Sequence, residues 1–298
     1  MSATSLLLPA YGQDYLEEPL EFSCHGERLL GILARPAGGR AAACGVLIVV
    51  GGPQYRAGSH RQFVLLARRL AAAGIASLRF DYRGMGDSSG ETRNFENVDD
   101  DIAAALDAMQ MAAPEVRRIA LWGLCDAASA VLLYWHARRD VRVAALCLLN
   151  PWVRSAATLA RAHVKHYYGR RLMQREFWLK LLRGEMNLFG ALGGLLGNLR
   201  LWLGGRPQGV AQQPFQTRMA AALREFAGPV LLILSGDDYT AKEFIESAAA
   251  DAPWAGVLER SNLRRRDFPS ADHTFSDIAC RIEAESATLE WLQTAVEQ

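Results

Sequence analysis

The amino-acid sequence predicts an α/β fold, in which a mostly parallel sheet is covered by helices. Two observations support this prediction. Continuously apolar segments such as GVLIVV at 45–50 are typical of strands buried on both faces. Along the chain, such segments alternate with segments whose apolar residues recur at helical spacing. This alternation is the pattern of βαβ units.

The first 150 residues begin with one antiparallel pair. LEFSCH and RLLGILAR alternate polar and apolar residues, as a half-exposed hairpin does. Further strands are predicted at 45–50, 75–80, 118–123 and 143–150, and helices at 59–73, 96–110 and 126–139. Ser59 is the expected N-cap of the first helix, and Gly74 is its expected end.

The alternation stops at residues 151–226, which contain no segment typical of a buried strand. Their Arg-rich helical stretches, Gly/Leu segment and Pro/Gln-rich link predict an inserted helical cap. The series then resumes with a strand at 229–236, a helix near 240–250, a weaker strand around 257–268 and a closing helix from about 274 to 296. We therefore expect residues 1–150 and 227–298 to form one core.

Composition excludes several classes of protein. Half of the residues are apolar and 22% are charged, which disfavours disorder, collagen-like repeats and coiled coils. The net charge of +1 does not favour binding to nucleic acid. No apolar stretch in the middle of the chain reaches the roughly 20 residues of a transmembrane helix, and no basic residue precedes the first leucine run, so we expect no export signal.

The five cysteines are scattered and lack CxxC spacing. This distribution predicts neither a disulfide framework nor a metal site, and no cofactor is indicated. A reducing, cytoplasmic compartment fits these residues best.

The segment Gly123-Leu124-Cys125-Asp126-Ala127 joins a predicted buried strand directly to a helix. This context lifts the central side chain above the sheet, and the start of the helix favours an anion there. Cys125 is therefore the candidate nucleophile, and the alternative is that it is a small packing residue. The literal GxSxG pattern at 86–90 lies in a Gly-rich loop without a following helix, so we do not expect Ser88 to be the nucleophile.

Acidic and histidine candidates follow the nucleophile in the order that this architecture requires. Asp237 and Asp238 come after the strand at 229–236, and His273 precedes the closing helix. We expect His273 to take the thiol proton or to pair with the thiolate. A carboxylate would orient the imidazole, with Asp238 preferred and Asp237 as the alternative.

The expected oxyanion hole combines two backbone N–H groups. One is that of Asp126, and the other comes from the loop after 45–50. Pro53 has no N–H, which leaves Gly52 and Gln54 as alternatives. The side chain of Asp126 also places a negative charge beside the thiolate, which opposes the effect of the helix dipole.

Four segments together resemble the exosortase A system-associated hydrolases, in the serine-aminopeptidase-like, lipase-like lineage of the α/β-hydrolase superfamily. These segments are GGPQYRAGSHRQF, FDYRGMGDSSG, GLCDAAS and SGDDYTAKEF. The resemblance covers about residues 20–150 and 227–290. It implies the α/β-hydrolase fold, with Cys125 as nucleophile, Asp238 as acid and His273 as base. It also implies a link to the bacterial exopolysaccharide machinery beside which these hydrolases are encoded. Ala127 departs from the pattern, since a glycine is usual there.

We therefore expect an enzyme that hydrolyses the ester or thioester bond of a small-molecule or carrier-bound acyl substrate through an acyl-Cys125 intermediate. A thiolate leaves a tetrahedral adduct more readily than an alkoxide does, which favours thioesters, activated esters and lactones. The alternatives are an acyltransferase with the same residues, a dienelactone-hydrolase-like enzyme, or a non-catalytic binding protein on this fold.

The net charge conceals an uneven distribution. Residues 151–226 hold 12 lysines and arginines against three acidic residues, a formal charge of +9, which leaves −8 on the remainder of a chain whose net charge is +1. A basic cap over an acidic core favours docking between the two or recruitment of an anionic carrier, lipid or polysaccharide. The cap is thus also a candidate surface for peripheral contact, and the oligomeric state stays open.

Overall fold

A computed structural model describes residues 14–39, 41–52, 54–154 and 213–296. Eight strands form one sheet: β1 (Tyr15–Cys24), β2 (Glu27–Pro36), β3 (Cys44–Val49), β4 (Ser77–Asp81), β5 (Arg118–Leu124), β6 (Val143–Leu149), β7 (Val230–Asp237) and β8 (Leu263–Asp272). The described helices are α1 (Gln62–Ala72), α2 (Asp99–Ala112), α3 (Asp126–Arg138), α4 (Phe215–Glu225), α5 (Tyr239–Ala250) and α6 (Ile278–Val296).

The order of the strands across the sheet is β1-β2-β4-β3-β5-β6-β7-β8. β1 and β2 form the predicted antiparallel hairpin, β2 pairs antiparallel with β4, and every later pairing is parallel. This mostly parallel sheet confirms the predicted fold class. β3 pairs with β4 on one side and with β5 on the other. The connection after β3 therefore leads toward one edge of the sheet, and the connection after β4 leads back across β3 toward the other edge. Loops that leave the sheet at such a reversal enclose the binding crevice of parallel sheets.

The central strands are buried as their sequences predict. Every residue of β3 and β4 is buried, and aromatic side chains of the covering helices pack on the sheet. The ring of Phe63 on α1 lies 5.5 Å from that of Trp122 on β5, edge to face. Full burial of one such large apolar side chain stabilises the fold by about 1.5–3 kcal/mol.

The first helix begins later than predicted. Residues Ser59–Arg61 form a 3-10 turn, and the N-cap position of α1 is taken by Arg61, which has φ 60°. The prediction of Ser59 as N-cap is wrong, because the chain first turns through Gly58 at φ 73°. Gly74 ends the helix as predicted, with φ 87°.

The last strand and the last helix also begin later than predicted. β8 spans Leu263–Asp272 instead of about 257–268, and α6 starts at Ile278. β8 is an edge strand whose residues 264–267 are all exposed. An edge strand shows no continuous apolar run, so its ends cannot be located from hydrophobicity.

The chain divides into two compact units, Met1–Val153 with Pro214–Gln298, and Arg154–Gln213. In the first unit, α4 contacts α3, and the ring of Phe215 lies 5.2 Å from that of Phe95. The segment from Pro214 onward thus packs with the sheet and its helices. Residues 155–212 lie outside the described residues, so the expected helical cap stays a prediction. No helix in the described part of the chain has the length and apolar run that crossing a membrane requires.

Candidate active site

Cys125 occupies a strained turn between β5 and α3. Its backbone has φ 63° and ψ −126°, a conformation that costs a non-glycine residue about 1–3 kcal/mol. Backbone hydrogen bonds hold it: the Cys125 N–H donates to the Leu149 carbonyl at 2.8 Å, and the Cys125 carbonyl accepts from the N–H groups of Ala128, Ser129 and Trp152 at 3.1, 3.4 and 3.2 Å. The turn therefore aims the thiol above the carboxyl end of the sheet.

The residues two before and two after Cys125 are Gly123 and Ala127, and the structure shows what each position allows. A Cβ at Gly123 would lie 2.6 Å from the backbone carbon of Ala127, so only glycine lets β5 approach α3 this closely. Ala127, which stands where a glycine is usual, is buried and does not have positive φ. An alanine methyl group is therefore tolerated there, and α3 begins at Asp126.

Cys125 is also the one cysteine of the five that is partly exposed. Burial raises the pKa of the Cys44 thiol to about 11 and raises the pKa of Cys24 and of Cys147 as well. These buried thiols are poor nucleophiles at neutral pH. Cys125 is thus the accessible thiol of the molecule.

The structure brings His273 and Asp238 together. His273 Nδ1 lies 2.8 Å from Asp238 Oδ2, and the same carboxylate accepts hydrogen bonds from the N–H groups of Thr240 and Ala241 at 3.0 and 3.3 Å. Burial is the largest influence on the pKa of Asp238 and raises it, but these hydrogen bonds outweigh burial and the pKa is lowered. Asp237, the alternative acid, is exposed at the end of β7.

His273 is held as a cation at neutral pH. Its hydrogen bond with Asp238 is the largest cause, and its hydrogen bond with Cys125 is the second; together they raise the pKa of His273 to about 10. Because Asp238 engages Nδ1, the other ring nitrogen, Nε2, is left for Cys125. The carboxylate and the imidazole are thus joined directly, and the influence of Cys125 on the pKa of His273 places the thiol near the ring.

The loop that carries His273 is fixed on both sides of that residue. Asp272 Oδ1 accepts the N–H of Ser276 at 2.9 Å. Phe275, at φ 53°, is buried with its ring 5.9 Å from that of Phe268. A loop fixed in this way restricts where the imidazole can move.

Asn150, which the sequence did not single out, connects the sheet to the loop that carries His273. It is fully buried at the end of β6, where its Oδ1 accepts the Ser235 N–H at 2.8 Å and its Nδ2 donates to Ser235 Oγ at 2.9 Å and to the His273 carbonyl at 3.4 Å. Asn150 thus joins β6, β7 and the histidine loop. One polar residue at the end of an apolar strand was the only signal for it.

The N–H groups expected to form the oxyanion hole face a carboxylate. The Gly52 N–H donates to Asp126 Oδ2 at 2.9 Å, and Asp126 Oδ1 is buried without a hydrogen-bond partner. Burial raises the pKa of Asp126, although the backbone N–H groups of Gly52, Ala127 and Asp126 itself lower it. The carboxylate packs so closely on Gly51 that a Cβ there would lie 2.1 Å from Oδ1.

Gln54 contributes differently to the same loop. Its side-chain Oε1 accepts the Ser59 N–H at 3.1 Å, which ties the loop after β3 to the turn before α1. The choice between Gly52 and Gln54 as oxyanion donor stays a prediction.

The side chain of Ser88, in the literal GxSxG segment, forms hydrogen bonds with backbone groups. Its Oγ donates to the Asp81 carbonyl at 2.6 Å and accepts the Leu30 N–H at 2.9 Å. The hydroxyl therefore ties the loop after β4 to β2. This use of the hydroxyl agrees with the expectation that Ser88 is not the nucleophile.

A cavity of about 550 Å³ opens beside Gly52 and Asp126. Tyr55, Tyr82 and Arg93 also line it, and a cavity of this size can hold a small-molecule ligand. Within the described residues, no group of three or more histidine, cysteine or carboxylate side chains is placed to hold a metal ion.

Comparison with known proteins identifies the class of fold. Residues 42–183 match the family described as serine aminopeptidase, S33. The esterase Est1E from Butyrivibrio proteoclasticus, with ferulic acid bound, has 15% sequence identity and a TM-score of 0.61, over 94% of this chain and 100% of that one. No curated protein matches the chain.

Two further esterase structures are similar. The esterase Pf2001 of Pyrococcus furiosus has 15% identity and a TM-score of 0.60, over 94% of this chain and 92% of that one. A cold-adapted esterase from an Arctic intertidal metagenomic library has 16% identity and a TM-score of 0.59, over 99% of each chain. At these identities the likeness is one of fold, and the chain has the α/β-hydrolase fold.

Proposed function

We propose that the protein is a hydrolase of ester and thioester bonds that uses Cys125 as nucleophile, His273 as acid and base, and Asp238 as the group that orients His273. The observation that carries this proposal is the strained backbone of Cys125, at φ 63°, directly between β5 and α3. A strained turn at this junction is the place of the nucleophile in α/β-hydrolases. The match to the serine aminopeptidase family and the esterase neighbours support hydrolysis as the reaction class.

In the proposed reaction Cys125 enters as a thiolate and His273 as an imidazolium, because the hydrogen bond with Asp238 favours the protonated form of the ring. In the first step Cys125 Sγ bonds to the carbonyl carbon, and the π electrons move to the oxygen. The tetrahedral adduct then expels the leaving thiolate or alkoxide, which takes the proton from His273 Nε2. Cys125 is left acylated and His273 neutral.

The second half-reaction restores the pair. Neutral His273 takes a proton from water, the resulting hydroxide attacks the acyl carbon, and collapse of the adduct expels the Cys125 thiolate and releases the acid. Asp238 stabilises the imidazolium in both halves. Thioesters and activated esters suit this sequence, since their leaving groups compete well with the Cys125 thiolate.

Trapping of the acyl-enzyme tests this proposal. An acyl-thioester is mixed with the protein, the reaction is quenched with acid, and the modified peptide is located by mass spectrometry. We expect a mass increase of one acyl group on Cys125, and loss of both adduct and turnover in Cys125→Ala. Cys280→Ala, which removes another thiol, is the matched control and should keep both.

Other outcomes would contradict the proposal. Turnover that persists in Cys125→Ala would assign the chemistry to another nucleophile. Absence of any adduct and any turnover would favour a binding protein, and transfer of the acyl group to an added alcohol or amine in preference to water would favour a transferase. The cytoplasmic location and the link to exopolysaccharide machinery stay predictions from the sequence.

A further inference from the structure

The cavity beside the proposed nucleophile has one wall with a positive charge. It is bounded at one end by Gly52 and Asp126, whose N–H groups are the expected oxyanion donors, and elsewhere by the loop after β4 that runs through 84–95. Arg93 lies in this loop and lines the cavity. Cys125 is not among the residues that line this cavity, but Asp126, the next residue in the chain, is. A substrate that reacts at Cys125 would extend past Asp126 to reach the Arg93 guanidinium.

Arg93 differs from the other arginines near the sheet. Arg83 makes a bidentate pair with Asp101, with N–O distances of 2.8 and 2.7 Å, and Arg56 pairs with Asp81 and Asp87. In the described part of the chain, Arg93 Nε is buried without a hydrogen-bond partner, as are Arg79 Nε and Arg218 Nε, but Arg79 and Arg218 have carboxylate partners for their terminal nitrogens. Among the described residues, no carboxylate forms an ion pair with Arg93. The buried Nε is closed to a ligand, so the terminal N–H groups of Arg93 are the donors that an acceptor in the cavity could use, and without a carboxylate partner they favour such an acceptor.

The other cavity-lining groups are compatible with an anion. Asp126 is the one carboxylate among the lining residues, and it lies at the Gly52 end of the cavity, where the Gly52 N–H hydrogen-bonds its Oδ2. Tyr55 and Tyr82 supply aromatic surface for the uncharged part of a ligand. Arginine binds carboxylates and phosphates through two parallel N–H donors.

We propose that Arg93 binds an anionic oxygen group, a carboxylate or a phosphate, on the substrate that occupies this cavity. The inference rests on the proposed function for the position of the reacting bond, and it names the class of substrate: an acyl compound that carries one such anion on its acyl part or on its leaving group.

Three thioesters that share the pantetheine arm test this assignment. S-butyryl-pantetheine is neutral, S-succinyl-pantetheine carries a carboxylate on the acyl part, and S-butyryl-4′-phosphopantetheine carries a phosphate on the leaving group. We expect kcat/KM for one anionic thioester to exceed that for the neutral one by about 10- to 100-fold, the range that one charge-assisted hydrogen bond supplies. Which thioester is preferred distinguishes the carboxylate from the phosphate.

In Arg93→Gln this preference should disappear, while turnover of the neutral thioester stays within about twofold. Arg93→Lys keeps the charge without the fork of donors and should retain part of the preference. Arg264→Gln, at an exposed arginine of β8, is the matched control and should behave as the wild type. Equal kcat/KM values for all three thioesters, or a preference that survives in Arg93→Gln, would overturn the proposal.

A binding measurement separates this proposal from that of the reaction. Calorimetric titration of Cys125→Ala with succinate and with inorganic phosphate does not depend on turnover. Saturable binding of one anion that Arg93→Gln weakens by about tenfold or more would support the site even if no thioester is hydrolysed. Absence of binding of either anion, together with hydrolysis of the neutral thioester, would reject the anion site and leave the proposed function intact.

Discussion

At the scale of single residues, Asp126 is the least expected feature of the site. Its carboxylate accepts a hydrogen bond from the Gly52 N–H at 2.9 Å, and Gly52 is one of the two predicted alternatives for the second oxyanion donor. An oxyanion cannot share these donors with a second negative charge at full strength. The carboxylate must therefore turn away or be protonated when the adduct forms.

Asp126→Asn tests this interpretation. The amide keeps the shape of the side chain and removes the charge, so we expect kcat/KM for a neutral thioester at pH 8 to rise by about tenfold. Because burial raises the pKa of Asp126, the native state binds this proton more tightly than the unfolded chain. Stability is therefore lost as pH rises through the folded-state pKa, and the variant should unfold at higher urea concentration than the wild type at pH 8.

The exposed Asp267→Asn on β8 is the control for Asp126→Asn and should leave both values unchanged. A fall in kcat/KM of the Asp126 variant would show that the carboxylate assists the reaction instead of opposing it.

Asp238→Asn tests the charge of His273. Asparagine is as good an N-cap as aspartate, so the start of α5 should be retained. The hydrogen bond with Asp238 is the largest cause of the raised pKa of His273, so that pKa should fall from about 10 toward the ordinary value near 6.5. We expect NMR titration of the His273 ring to show this fall, and kcat to drop by about 10²–10⁴.

Asp237→Asn, at the exposed residue next to Asp238, is the matched control. In this variant the pKa of His273 and kcat should equal those of the wild type. An unchanged pKa of His273 in Asp238→Asn would contradict the role given to Asp238.

At the scale of secondary-structure elements, the site depends on how closely β5 approaches α3. Gly123 makes this approach possible, because any Cβ there would lie 2.6–2.7 Å from backbone atoms of Ala127 and Ala128. Backbone atoms at a strand–helix junction cannot move aside as the end of a side chain can. The strained turn at Cys125 thus depends on a glycine two residues earlier.

Gly123→Ala should therefore destabilise the fold by about 1–3 kcal/mol and lower turnover. Urea unfolding measures the first effect and thioester hydrolysis the second. Gly38→Ala is the matched control, because a Cβ at Gly38 meets no atom within 4 Å. Wild-type stability in Gly123→Ala would show that β5 and α3 can separate without loss.

At the scale of the whole molecule, charge is distributed unevenly along the chain. Residues 151–226 carry a formal charge of +9 in a chain of net charge +1. We expect such a segment to accelerate the encounter with an anionic substrate, and salt should weaken this effect.

The salt dependence of kcat/KM for S-butyryl-4′-phosphopantetheine and S-butyryl-pantetheine tests this expectation. For the phosphate-bearing thioester, kcat/KM should fall several-fold between 20 mM and 500 mM salt, whereas that of the neutral thioester should change little. Stopped-flow or steady-state kinetics at constant pH measures both. Equal salt dependence of the two substrates would remove the idea of recruitment through the basic segment.

Much of the fold could be predicted because many strands and helices are recognisable from the residues within them. A continuous apolar run such as β3 is readable from its own residues, and so is the direct step from β5 into α3 at Cys125. The start of α1 and the ends of β8 could not be located, since they depend on the turn at Gly58 and on pairing at a sheet edge. Asn150 was missed because its partners, Ser235 and His273, are distant in sequence.

The sequence by itself determined the order of strands and helices and the candidates Cys125, Asp238 and His273. Only the tertiary structure decided that the Asp126 carboxylate faces the Gly52 N–H and that Arg93 lines the same cavity with no carboxylate partner in the described part of the chain. The physical reason is that strand and helix formation follow from nearby residues. The environment of a charged side chain depends instead on groups that a parallel sheet assembles from distant parts of the chain.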